Sequence, residues 1–284
     1  MVLNTKFYLQ ALVLMFLVGC SSNAITHFQG IAHTHSYHIQ IAASLSTKEK
    51  QKIKTLIDEV FDEVNLCYNH WNPQSELSLV NQGSPSTPKL REILSLALMY
   101  KELTGGRYDP FLGGVISAWK ESLKKGELPD LNPLHVAIDL DGMLKGYAID
   151  LLVEKLNRLG YKHVYVEWGG DIRVSGRHPE KRPWRILIEG KVIPLYSALA
   201  TSGNSEQKWE VGDKIFTHII DPFSLRALEV KEMKSVTVQA PTCALADALA
   251  TACMTFMSDR EALEWAESIK AKQEGVAFWI TTKP

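Results

Sequence analysis

Apolar and polar positions along the chain fall into three textures. From Lys6, one run is almost wholly apolar and interrupted only by Gln10: Phe7-Tyr8-Leu9-Gln10-Ala11-Leu12-Val13-Leu14-Met15-Phe16-Leu17-Val18. It is short for a bilayer span, which needs about 20 apolar residues, and it predicts a signal-peptide core within residues 1–19. A second texture follows, with apolar residues three and four apart. Ile53, Leu56, Ile57, Val60, Phe61 and Val64 mark one face of a helix that Ser46 and Glu49 open as a capping box. Leu90, Ile93, Leu94, Ala97 and Leu98 mark a second helix, entered at Thr87-Pro88 and stopped at Gly105-Gly106. A strand is expected at Tyr37–Ile41. Beyond residue 135 strands alternate with helices. The strands are Val136–Leu140, Val164–Trp168, Trp184–Ile188, Ser197–Thr201, Ile215–Ile220, Ser235–Gln239 and Val276–Thr281. Helices are expected over Lys145–Leu159 and Ala244–Met257, with a third capped by Ser258 and Glu261. Hairpins interspersed with helices predict an α+β fold with a mainly antiparallel sheet and flanking helices. Residues 30–284 read as one compact catalytic unit, and residues 20–29 as a tether.

Composition narrows the address. The first texture ends in Leu17-Val18-Gly19-Cys20, then Ser21-Ser22-Asn23. Small residues before a Cys that directly follows an apolar core resemble a bacterial lipobox, with Cys20 lipidated and first in the mature protein. The plainer alternative is an ordinary secretion signal with a chance Cys. Lipidation predicts an exported lipoprotein held on a bacterial membrane, facing the periplasm or cell exterior, without a spanning helix. With 31 basic and 32 acidic residues, no overall field points to nucleic acid. Cys67, Cys243 and Cys253 are an odd set without a Cys-x-x-Cys unit, so zinc and thioredoxin-like chemistry are not expected. Buried thiols are the default, with a Cys243–Cys253 bridge as the alternative. His33, His35 and His38 read as a solvated strand end before they read as metal ligands.

Several clusters carry chemistry-bearing residues at element junctions. Asp139-Leu140-Asp141-Gly142-Met143-Leu144-Lys145-Gly146 leads a strand into a helix whose N-terminus favours an anion. Purely conformational glycines explain it as well. Gly169-Gly170-Asp171 and Thr201-Ser202-Gly203-Asn204 are turns or binding loops. His218 sits in a strand three residues before Asp221, and can take a proton near neutral pH or serve only packing. Asp247 and Thr251, at i and i+4, put two hard oxygen donors on one helical face, a set that suits Mg²⁺; a Thr bonding its own backbone is the alternative.

In this order the clusters resemble the ApbE family of FAD:protein FMN transferases. The resemblance runs from about Ile31 to Thr281. Its most specific pieces are Asp139–Asp150, Gly169-Gly170-Asp171, Ala200-Thr201-Ser202-Gly203, His218-Ile219-Ile220-Asp221-Pro222 and Ala246-Asp247-Ala248-Leu249-Ala250-Thr251. Upstream, Trp71-Asn72-Pro73-Gln74-Ser75-Glu76-Leu77 and Thr104-Gly105-Gly106-Arg107-Tyr108-Asp109-Pro110 are similar to two further family segments. The resemblance implies a tunnelling-type α+β fold, FAD as substrate and Mg²⁺ as cofactor. Asp247, Thr251 and the Gly142 carbonyl would hold the metal. Trp71 would pack on the flavin, and Arg107, Tyr108, Asp109, Asp139, Lys145 and Ile219 would line the FAD pocket. His218 would be the catalytic base, with Asp221 orienting it. Partners would be acceptor flavoprotein subunits of membrane redox complexes, modified on a Thr or Ser hydroxyl with release of AMP. FAD hydrolysis to FMN and AMP, or non-catalytic FAD binding by a lipoprotein, are the rival expectations. Two departures stand out. The family usually has Gly where this chain has Asp141, and it continues Arg-Thr-Gly where this chain has Phe223-Ser224-Leu225.

Overall fold

A computed structural model describes residues 24–131, 135–188, 190–204, 208–211, 213–229 and 233–282. The signal segment and Cys20 lie outside the described residues. The chain opens with strands β1 (Thr26–Ala32) and β2 (His35–Ile41). Helices follow as α1 (Thr47–Glu63), α2 (Glu76–Asn81), α3 (Pro88–Leu103), α4 (Gly113–Lys125) and α5 (Asp141–Arg158). Nine strands come next: β3 (Val164–Trp168), β4 (Asp171–Ser175), β5 (Trp184–Ile188), β6 (Lys191–Leu195), β7 (Ala198–Gly203), β8 (Lys208–Val211), β9 (Lys214–Asp221), β10 (Arg226–Glu229) and β11 (Met233–Ala240). Helices α6 (Cys243–Cys253) and α7 (Asp259–Lys272) and strand β12 (Ala277–Thr282) complete it. Among the described residues no helix is long and apolar enough to cross a membrane.

Period-two burial builds the main sheet. Tyr37, Ile39 and Ile41 of β2 are buried and face Trp168, Val166 and Val164 of β3 across the strands. Seven strands join in the order β1-β2-β3-β4-β7-β11-β12, every neighbour antiparallel. The α+β expectation is met. A three-stranded sheet, β10-β9-β8, and the hairpin β5-β6 stand apart from it. Helices α5 and α6 cover the main sheet, α5 over β3 and β4 and α6 over β7 and β11, and pack on each other.

That helix pair is unusually close because its residues are small. Alanines fill α6, and Gly146 of α5 meets the α6 backbone directly. Asp150 of α5 caps the N-terminus of α6: Cys243 N and Ala244 N donate to its two oxygens, each at 2.9 Å, and Arg173 of β4 donates at 2.7 Å.

Several expectations need correction. Residues 26–29 are not tether, because Thr26–Ala32 pairs along its length with β2. Val136–Leu140 forms no strand; Ala137 makes one isolated bridge to Leu112, and Asn81 takes both backbone groups of Ile138. Helix α5 starts at Asp141 rather than Lys145, since Asp139 Oδ1 accepts the Asp141 N–H at 2.7 Å. Gly169 and Gly170, at φ 57° and 89°, make a tight hairpin, so the chain returns as β4. Ser258 begins α7 without a side-chain capping bond. Cys243 is a buried free thiol, so the Cys243–Cys253 bridge does not form. The capping box read for α1 and the Thr87-Pro88 start read for α3 are present as expected.

A Cβ on Gly146 would lie 2.2 Å from the Cys243 carbonyl oxygen and 2.6 Å from Ala244 N, both backbone atoms that cannot swing aside. Gly146→Ala is therefore expected to cost about 3 kcal/mol, the upper end for overpacking, in thermal or denaturant unfolding. Gly126→Ala, at a left-handed helix end with open space around it, should cost only about 1 kcal/mol. Similar losses for the two would show that the helix pair is not tightly seated.

Candidate active site

The N-terminus of α5, the middle of α6, β7 and β9 converge on one cavity of about 720 Å³. Trp71, Arg107, Tyr108, Asp109, Asp139, Gly142, Lys145, His218, Ile219, Asp247 and Thr251 all line it. Eleven residues singled out from five separated segments thus meet in one space. Asp221 does not line it, and Cys20 is outside the described residues.

One end of the cavity is built of oxygen donors. Thr251 Oγ lies 3.2 Å from Ser202 Oγ of β7. Gly142 sits against the same Thr251, where a Cβ would be 3.1 Å from its methyl and 3.4 Å from its hydroxyl oxygen. Asp247 is buried, and its Oδ2 accepts the Gly146 N–H at 3.1 Å. Burial and the nearby Asp171 push the Asp247 carboxyl up to about 8, against the pull of Lys145. Lys145 Nζ lies 3.1 Å from Asp171 Oδ2 and donates to the Gly169 carbonyl at 3.3 Å, while Asp171 Oδ1 accepts the Thr201 N–H at 3.0 Å. Two buried carboxylates therefore share one ammonium. A carboxylate, two hydroxyls and a glycine backbone beside this excess of negative charge form a hard donor set that fits Mg²⁺.

The other end is aromatic. A π-helical extension of α1, Val64–Tyr68, leads into the turn that carries His70 and Trp71. Trp71 Nε1 donates to Asp141 Oδ2 at 2.7 Å. His70 is nearly buried, with Nε2 3.5 Å from Asp139 and Nδ1 3.6 Å from Asp141. Burial lowers the imidazole pKa while Asp141 opposes it. The donor atoms of these three residues lie within 4.8 Å of one another. The two close approaches use opposite ring nitrogens, Nε2 toward Asp139 and Nδ1 toward Asp141. Asp139 is held well above the usual carboxylate range by burial and by Asp141. Tyr108 is buried, with its hydroxyl left without a partner in the cavity wall and its pKa raised by burial.

Arg107 stacks between Phe256 and Phe223, 4.0 Å and 4.8 Å from their ring centres. Asp109 is occupied by Lys101 at 2.8 Å and by the Phe111 N–H. The expected orientation of His218 by Asp221 is not the role the strand assigns. Residues three apart on β9 point to opposite faces. Asp221 instead accepts from Ser224 Oγ at 2.6 Å and from the Phe223 and Ser224 N–H groups, and lies 3.6 Å from Arg107. In the altered turn Leu225 takes a left-handed φ of 59°. Trp119 Nε1 donates to its carbonyl at 3.2 Å. His33, Thr34 and His35 form an exposed hairpin tip at the cavity rim. Asp171, Ser202, Thr255, His70 and Lys120 were not picked out by residue from the sequence. Asp171 and Ser202 stand inside recognised motifs; nothing local marks the other three.

The pattern of the ApbE family matches residues 34–278. The chain is similar to the FAD:protein FMN transferase of Chlamydia pneumoniae, 40% identical across 94% of this chain and 96% of that protein. It is likewise similar to that of Chlamydia trachomatis serovar D, 35% identical across 97% of each. Among solved structures, the apo form of Pseudomonas stutzeri flavinyl transferase ApbE overlays with a TM-score of 0.75 at 20% identity, covering 91% of this chain and 95% of that one. The ApbE protein of Thermotoga maritima gives 0.75 at 24%, covering 90% and 94%. At these identities the structural likeness speaks for the fold alone.

The raised Asp247 carboxyl has a pH signature in metal-free protein. Its penalty for ionisation is absent below 3.8, grows as pH rises and is complete above about 8. Metal-free protein should lose thermal stability across that window, and Asp247→Asn should flatten the loss. Equal slopes for the two proteins in a pH series of melting curves would place the source elsewhere.

Proposed function

The chain belongs to the ApbE family, and we propose that it moves FMN from FAD onto a Thr or Ser hydroxyl of an acceptor protein, releasing AMP. The observation that carries this reading is the meeting of Asp247, Thr251, Ser202 and Lys145 with His218 around one cavity. Its volume falls in the range of about 300–1,000 Å³ common for small-molecule sites.

Each group then has a task set by its chemistry. Trp71 and Ile219 offer apolar surface to the flavin ring, and Arg107, stiffened by its two phenylalanines, offers fixed positive charge. Lys145, held by Asp171, sets a second cation beside the α5 N-terminus for the pyrophosphate. Asp247, Thr251 and the Gly142 carbonyl would hold Mg²⁺, which supplies charge neutralisation to phosphoryl transfer. His218 takes the proton from the acceptor hydroxyl as its oxygen bonds to the FMN phosphorus. The bond from that phosphorus to the bridging oxygen breaks, and AMP leaves with the electron pair. Water entering in place of the acceptor would give FMN and AMP by the same chemistry, so closure by the acceptor decides the outcome. Export with a lipid at Cys20 would present this site on a membrane surface, where acceptor flavoprotein subunits of membrane redox complexes lie.

His218→Ala should lower transfer by about 10²–10⁴ while FAD still binds. Mass spectrometry of an acceptor incubated with FAD and Mg²⁺ measures it; wild-type rates in the variant would remove His218 from its role, and FMN appearing free with no acceptor gain would mark a hydrolase. Cys20→Ser should shift the protein from the membrane to the soluble fraction on fractionation. Unchanged membrane retention would exclude the lipid anchor.

A further inference from the structure

We infer that Asp141 is a positioning residue that latches the Trp71 indole into the cavity wall. The starting problem is local. Trp71 stands in a turn, is 46% exposed and would rotate freely if only solvent surrounded it. Within that turn its backbone N–H is held by Asn69 Oδ1 at 3.0 Å, which fixes the main chain and leaves the ring undecided.

The ring is decided from α5. Asp141 Oδ2 accepts the indole N–H at 2.7 Å across 70 residues of sequence. The other Asp141 oxygen faces His70 Nδ1 at 3.6 Å, and His70 Nε2 faces Asp139 at 3.5 Å. The His70 and Trp71 rings lie 4.1 Å apart between centres. Two consecutive side chains of the turn are therefore set against two near-neighbouring carboxylates of one helix start. That start is itself braced by the 2.7 Å bond from Asp141 N to Asp139 Oδ1. From α4, the Lys120 ammonium sits 3.5 Å from the centre of the Trp71 ring. The indole is thus gripped at its edge by a carboxylate and at a face by a cation.

A glycine at position 141 would have no side chain to make this bond. The value of the latch lies in pre-organisation: an aromatic wall already fixed loses less rotamer freedom when a flat ring binds. The site of Asp141 is half exposed, so the effect on FAD affinity should be modest, about two- to tenfold. This step rests on the reading of the cavity as the FAD site.

The test has two arms. In protein labelled with ¹⁵N at Trp and free of FAD, the Trp71 indole N–H resonance is assigned by its loss in Trp71→Phe. Asp141→Gly should shift it and speed its exchange, while Asp141→Asn, whose amide oxygen still accepts, should largely restore both. An unmoved resonance in Asp141→Gly overturns the latch whether or not FAD binds. In the second arm, Asp141→Gly should weaken FAD binding two- to tenfold and raise KM more than it lowers kcat. In the Trp71→Phe background it should add nothing. A full effect in that background would mean Asp141 acts on FAD by another route, and the positioning role falls. Wild-type protein that binds no FAD would sink the function proposed above, with the resonance arm still deciding the latch. Should the glycine variant fail to fold, Asp141→Ala serves in its place, with melting curves as the check.

Discussion

The contact between α5 and α6 is the constraint on which the site depends. Asp150 binds the first amides of α6, Gly146 lets the two backbones touch, and the Gly146 N–H meets Asp247. One short stretch of α5 therefore fixes the start of the neighbouring helix and presents a hydrogen bond to its buried carboxylate. The glycine serves both ends: without a side chain, its amide can reach Asp247. Helix contact and charged site are one piece of construction, and neither can be loosened without the other.

Around that rigid half the cavity is completed by parts with separate cores. His218 stands on β9, whose sheet packs through Phe216 and Ile220 against Trp119 of α4 and Trp209 of β8. The oxygen donors stand instead on α5, α6 and β7, whose buried apolar residues belong to the main core. A base and a donor set carried by different layers can be brought together by a ligand that touches both, which is a common reason for placing a site between layers.

Much of this was legible in the chain itself. Ser46 with Glu49 and Thr87-Pro88 mark helix starts because capping is local chemistry, decided within four residues. The ordered clusters located eleven cavity residues because each recurs as a motif in the family. What could not be read depends on the return path of the chain. Asp171 looks like a turn residue after Gly169-Gly170, yet it opens β4 and holds Lys145 under the sheet. Asp141 and Trp71 are 70 residues apart, and no periodicity connects them. Val136–Leu140 is apolar enough for a strand, but among the described residues it makes one isolated bridge, Ala137 to Leu112, and Asn81 takes the backbone groups of Ile138 instead.

Leu225 draws a lesson about inheritance. A leucine at φ 59° is conformationally costly, by about 1–2 kcal/mol, and it persists here with its N–H on the Asp221 carbonyl, its own carbonyl on Trp119 and its side chain against the smaller core. Support for this backbone conformation reaches it from Trp119, across 106 residues of sequence. Residues in contact couple energetically, so substitutions at positions 119 and 225 are expected to be non-additive. Phe223-Ser224-Leu225 grafted into a scaffold without that tryptophan would carry the strain and lose this hydrogen bond.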